Sequence, residues 1–127
     1  MSLQPNQKTA EQGSAPVKKR TYTRRYTRFA IDTRLQVKMF QGGEFSTCWG
    51  RSTELGEDGI GATLTGDLEP GEIVTLEVTL PLSSYPLTVR AIVRYRQGLH
   101  YGFEFLTLTD TQRETMRRVC EMLAAQA

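Results

Sequence analysis

The sequence predicts a mainly β fold: a six-stranded antiparallel β-barrel with a C-terminal α-helix and a disordered basic N-terminal arm. Three observations predict it. Between residues 31 and 105 apolar side chains recur at period two, in runs separated by turns that carry glycine or proline. After Thr109 the apolar period becomes that of a helix. Before Thr21 large apolar residues are few, and Gln, Ser, Pro, Lys and Gly dominate. Such a segment cannot bury enough surface to offset the entropy of ordering it. Residues 1–20 therefore read as a disordered tail and residues 21–127 as one domain, a length sufficient for one core.

The elements follow in chain order. Thr21 to Ala30 mixes Tyr22, Tyr26 and Phe29 with Arg24, Arg25 and Arg28, so aromatics can pin the segment while the arginines stay available. From Ile31, Leu35, Val37 and Met39 point one way and Arg34, Gln36 and Lys38 the other, as in a half-buried strand. Gln41-Gly42-Gly43 turns the chain, and Phe45, Thr47 and Trp49 continue a second strand. A glycine-punctuated stretch, Glu54 to Gly61, leads into Ile60, Ala62 and Leu64. Asp67 to Gly71 turns again; Val74, Leu76, Val78 and Leu80 alternate; Pro81 and Pro86 bracket a loop. Leu87, Val89, Ala91, Val93 and Tyr95 share one face of a fifth strand, and Tyr101, Phe103 and Phe105 mark the last. Short connections between strands indicate an antiparallel meander or barrel, and closure removes exposed edges. Thr109 with Gln112 forms a capping box, and Met116, Val119, Cys120 and Leu123 form the apolar stripe of the helix it opens.

Composition excludes several classes. No apolar run approaches the roughly 20 residues that span a bilayer, and the amino terminus lacks the apolar core of a secretory signal, so a cytoplasmic location without membrane insertion is expected. Cys48 and Cys120 lie far apart without metal-ligand spacing and read as buried thiols of a reducing compartment. The lone His100 sits in an expected turn, no Ser/His/Asp or Cys/His set is evident, and acidic residues lack metal-loop spacing. No enzyme, metal or cofactor is expected.

Charge is uneven. Residues 1–28 hold seven Lys and Arg against one Glu, whereas the rest hold nine against thirteen Asp and Glu. A basic arm on a mildly acidic body attracts phosphate, on a nucleotide, a nucleic acid or a membrane surface. Arg24, Arg25 and Arg28 repel each other unless an anion lies among them. Each guanidinium can grip a phosphate or the O6/N7 edge of guanine, or stack on a purine. Gly56, Gly59 and Gly61 imply positive φ, close approach by another group, or a β-bulge. Glu54 can accept hydrogen bonds from guanine N1–H and N2–H, which arginine cannot.

These segments resemble the PilZ domain family. Arg24 and Arg28 match its RxxxR motif ahead of the first strand, with Arg25 and Phe29 at the second arginine and the usual aromatic. Its [D/N]xSxxG motif falls on Glu54, Gly56 and Gly59, and the likeness continues through Ile60-Gly61-Ala62, Gly71 to Val74, Val93-Arg94-Tyr95, Tyr101 to Phe105 and the terminal helix, over roughly residues 20–125. The resemblance implies a bacterial second-messenger receptor that binds cyclic di-GMP through Arg24, Arg25, Arg28, Glu54, Gly56 and Gly59, folds its arm onto the barrel and so alters the surface offered to a protein partner. Three positions depart from the pattern: Glu54 for Asp or Asn, Gly56 for Ser, and Asp58 where glycine is common. They leave open a PilZ-like adaptor that recognises a protein without binding the nucleotide. A nucleic-acid binder using the basic arm with Tyr22 and Tyr26 is the third reading, with no specific nucleic acid expected.

Overall fold

The computed structural model of the chain describes residues 25–83 and 86–126, so Arg24 and the expected tail at 1–20 lie outside the described residues. Six strands and one helix follow in order: β1 Phe29–Gln41, β2 Glu44–Gly56, β3 Gly59–Leu64, β4 Ile73–Thr79, β5 Pro86–Gln97, β6 His100–Thr107 and α1 Asp110–Gln126. The strands form a closed barrel in the order β1-β2-β3-β6-β5-β4. Closure is made by β1 on β4, from Leu35 opposite Val78 to Lys38 opposite Thr75. Every pairing is antiparallel. β1 begins two residues earlier than Ile31, because Phe29 already pairs with Leu55.

Alternation sends one side chain in two to the interior. Leu35, Val37, Leu55, Ile60, Ala62, Leu64, Leu76, Val78, Ala91, Val93 and Tyr101 are at most 1% exposed. Each large aliphatic group so buried contributes about 1.5–3 kcal/mol relative to exposure. Gly42 and Gly43 both adopt positive φ, 60° and 81°, as the two-residue loop between Gln41 and Glu44 requires for its twist to match the strands. The same alternation puts Phe45 and Trp49 of β2 on the outside, 82% and 55% exposed, with Phe40 stacked edge-on against Phe45.

The strand registers shift at four places: between Ala30 and Thr33, Ser52 and Glu54, Arg90 and Ala91, and Val93 and Tyr95. Two of these shape the outer face described below, the β-bulges between Ser52 and Glu54 and between Val93 and Tyr95. Each inserts one residue, so the side chain after it faces opposite to what period two dictates. Tyr95, expected on the inner face with Val93, is thereby turned outward, where its ring lies over Gly102.

The helix begins as its capping box demands. The Gln112 amide donates to Thr109 Oγ1 at 3.1 Å and the Thr109 amide to Gln112 Oε1 at 3.0 Å. Met116, Val119 and Cys120 are buried against the barrel, and Leu123 packs at the margin. Arg117 and Arg118 pair along the outer face with Glu114, and Arg117 also with Glu121.

Tyr101 ties the β3–β4 connection to the barrel. Its buried hydroxyl donates to the Gly66 carbonyl at 3.0 Å and accepts from the Leu68 amide at 3.1 Å. Leu68 is fully buried, so that amide has no access to water. Tyr101→Phe leaves it unsatisfied and is expected to cost about 1–3 kcal/mol, read as a lowered urea midpoint at unchanged m-value.

Candidate functional site

The β2–β3 hairpin turns through Glu57 and Asp58, with Gly56 opposite Gly59 and Glu54 opposite Gly61. None of these glycines is among the positive-φ positions, which among the described residues are Gly42, Gly43, Gly71, Gly98 and Leu82. Backbone conformation does not call for glycine here; close approach does. A Cβ at Gly56 would stand 2.7 Å from Arg28 Cδ and 2.8 Å from Arg28 Nε. One at Gly59 would overlap the Phe103 carbonyl oxygen and lie 3.2 Å from Arg28 Nη2. One at Gly61 would meet Glu54 Cγ at 2.9 Å, and one at Gly102 would overlap the Tyr95 ring.

The register aligns these positions. Glu54, Gly61, Gly102 and Tyr95 stand opposite one another in turn across β2, β3, β6 and β5. The neighbouring row, Leu55, Ile60, Phe103 and Val93, faces the core. The outer surface is thus a glycine floor on which long side chains lie flat: Arg28 over Gly56 and Gly59, Glu54 over Gly61, Tyr95 over Gly102. Both bulges serve this surface, since they turn Glu54 and Tyr95 out.

Beside the floor runs a groove of about 950 Å³, lined by Arg28 and Asp58 at one end and by Arg94, Tyr95, Arg96, His100, Gly102 and Glu104 along it. Its charged groups are mostly paired. Arg94 Nε donates to Glu104 Oε1 at 2.5 Å. Arg96 donates to Asp67, and that hydrogen bond holds its guanidinium above the usual pKa. The Tyr95 hydroxyl shares a hydrogen bond of 3.3 Å with His100 Nε2. Arg28 is paired only loosely, without a hydrogen bond. Its Nη2 lies 3.7 Å from Asp58 Oδ1, with the two side chains 15% and 32% exposed. Arg28 Nε and Asp58 Oδ1 are both buried without a hydrogen-bond partner. A buried guanidinium N–H left without an acceptor carries a desolvation cost that an incoming anion would remove.

The expected site residues divide as follows. Arg28, Gly56 and Gly59 come together; Glu54 lies on the same outer face two pairs along the hairpin, over Gly61, and does not line the groove. Arg25 stacks on Tyr26 at 5.9 Å and borders a neighbouring cleft of about 470 Å³ against Asp110, Arg113, Glu114 and Arg117. Asp58 and Glu104 border both clefts. Sequence reasoning missed Arg94, Tyr95 and Arg96 as site residues. Their one signal was basic and aromatic residues interleaved at Val93-Arg94-Tyr95-Arg96, which strict alternation assigned to a strand with Tyr95 inward.

The cysteines are free, Cys48 half-buried and Cys120 buried. Burial pushes the Cys120 thiol up to about 11, and the Glu57 charge adds to the shift. Neither thiol is a poised nucleophile, because desolvation disfavours the thiolate. Among the described residues no group of three or more His, Cys, Asp or Glu is placed to hold a metal ion, and no helix is long and apolar enough to cross a membrane.

The PilZ domain family matches residues 19–122 of the chain. No curated protein matches the sequence significantly. Among solved structures the chain is similar to the PilZ domain with c-di-GMP of YcgR from Escherichia coli, at 21% identity and a TM-score of 0.65 over 83% of this chain and 94% of that one. It is similar to the Bacillus subtilis inhibitor of motility, MotI/DgrA, at 18% identity and a TM-score of 0.65 over 88% of this chain, and spans 57% of that protein's length. A third likeness is the PilZ domain of CeSA from a cellulose-synthesizing bacterium, at 15% identity and a TM-score of 0.58 over 77% and 98% of the two chains. At such identities the likeness establishes the fold.

The two hairpin glycines are expected to differ in tolerance. A methyl at Gly59 meets backbone that cannot step aside, whereas at Gly56 it meets mainly a flexible arginine. Gly59→Ala should cost about 1–3 kcal/mol in chemical denaturation, and Gly56→Ala under about 1 kcal/mol. Equal losses would remove the distinction.

Proposed function

The chain belongs to the PilZ domain family, and on that premise we propose that it is a binding module for cyclic di-GMP that changes its surface on binding to regulate a protein partner, and not an enzyme. One observation carries this reading: Arg28 presents a buried N–H without an acceptor at the end of a groove lined by two further arginines and a tyrosine. The groove's volume is within the range of small-ligand sites. Arg28 would grip a phosphate or the Hoogsteen edge of guanine with two parallel hydrogen bonds. Tyr95, level with the glycine floor, offers a face for a base to stack on. Glu54 would receive guanine N–H groups from the next rung of the hairpin, and Gly56 and Gly59 would admit the ligand close to backbone. Arg25 and Arg24 would follow Arg28 as the arm closes, so the cleft between the arm and α1 would change with it. A cytoplasmic location accords with a soluble second messenger.

A second reading keeps the fold and drops the nucleotide: an adaptor that recognises a protein directly. Its warrant is Gly56, where a serine hydroxyl of the family motif is absent, and Asp58, whose carboxylate borders the groove and would repel a phosphate. The B. subtilis relative is described as an inhibitor of motility, a role in keeping with either reading.

Isothermal calorimetry with cyclic di-GMP distinguishes them. The nucleotide reading expects saturable heat that weakens with added salt. Arg28→Ala should reduce affinity by roughly ten- to a hundredfold, the loss of one charge-assisted hydrogen bond of about 1.5–3 kcal/mol. No heat with ligand in the hundreds of micromolar would leave the adaptor reading in possession.

A further inference from the structure

Gly56 and Asp58 act on the same side chain. Gly56 supplies the space: without a Cβ it lets the Arg28 stem lie on the hairpin, at positions 2.7 and 2.8 Å from where that Cβ would be. Asp58 supplies the charge, 3.7 Å from the Arg28 guanidinium at the far side of the turn. The geometry points to an intramolecular latch, in which the Asp58 carboxylate stands in for a phosphate and holds Arg28 down on the glycine floor until an anionic ligand displaces it. This rests on the nucleotide reading above and adds to it a gate on affinity built from two residues of one hairpin.

The latch is poised rather than tight. At 3.7 Å the pair is an ion pair without a hydrogen bond, and Arg28 Nε and Asp58 Oδ1 both remain buried and unsatisfied. A partly exposed pair of this kind holds weakly and yields to a doubly charged ligand that offers hydrogen bonds as well. Other acids around the groove are engaged elsewhere, Glu104 by Arg94 and Asp67 by Arg96, so the latch does not depend on them.

Two substitutions separate a latch from simple repulsion. Asp58→Asn removes the charge and keeps the shape; the Asp58 carbonyl still accepts from the Phe105 amide, so the turn keeps its backbone anchor. Gly56→Ala keeps the charge and removes the space. In the ligand-free protein, exchange of the Arg28 Nε–H with water, followed by NMR, should quicken severalfold in both variants. In calorimetry, Asp58→Asn should bind cyclic di-GMP about three- to tenfold more tightly than wild type. Arg28 exchange at the wild-type rate in either variant overturns the latch. So does wild-type protein that binds the nucleotide while Asp58→Asn binds it no better, and that result leaves the nucleotide reading intact. Failure of wild type and both variants to bind removes the nucleotide reading, and the gate with it.

Discussion

A side chain can lie flat on a β-sheet only where the strand beneath it has none of its own. Each pleat otherwise projects a Cβ, and a guanidinium or a phenol ring is held away from the backbone by that carbon. On the outer face of this barrel Gly56, Gly59, Gly61 and Gly102 remove the obstacle at neighbouring outward-facing positions of β2, β3 and β6. Arg28, Glu54 and Tyr95 then settle at distances no alanine-bearing strand would permit. The placement of the charged and aromatic groups follows from this steric fact. So does the burial of an arginine on the outside of a barrel, where it would ordinarily extend into water.

Register gives the floor its order, and barrel closure fixes register. With β4 paired to both β1 and β5, no strand of the ring can slip without carrying its core residues to the wrong face. Local register shifts are the permitted exceptions, and two of them shape the site. One follows Ser52 and the other Val93; after the first Leu55 returns to the core, and the two leave Glu54 and Tyr95 on the outer face. The helix and its capping box, and the Tyr101 hydroxyl under the β3–β4 connection, hold the remaining surfaces without entering the site.

The barrel was legible because its strands announce themselves. Leu35, Val37 and Met39, then Val74, Leu76 and Val78, alternate without interruption, and Thr109 with Gln112 marks the helix start by chemistry alone. The site was legible in part. Arg28 and the glycines stood out by composition, and the structure brings them together. Tyr95 did not, because a bulge leaves no local mark: the residue that breaks the period, Arg94, is one that any exposed strand position accepts. The link between Arg28 and Asp58 was likewise invisible, since thirty residues separate two groups that only the pairing of β1 with β2 brings to one hairpin. Arg24 lies outside the described residues, and its part in the site rests on the sequence resemblance.

A recess formed by missing side chains has an unusual evolutionary fragility. Most surface sites are lost when a contacting residue is taken away; this one is also lost when an atom is added. A single methyl at any of four backbone positions lifts a side chain from its seat, and at Gly59 it strikes backbone besides. Random substitution adds atoms to glycine in every case, so drift runs in one direction, toward filling. Descendants of such a domain would keep the barrel, whose core is indifferent to its outer face, long after the recess had closed over.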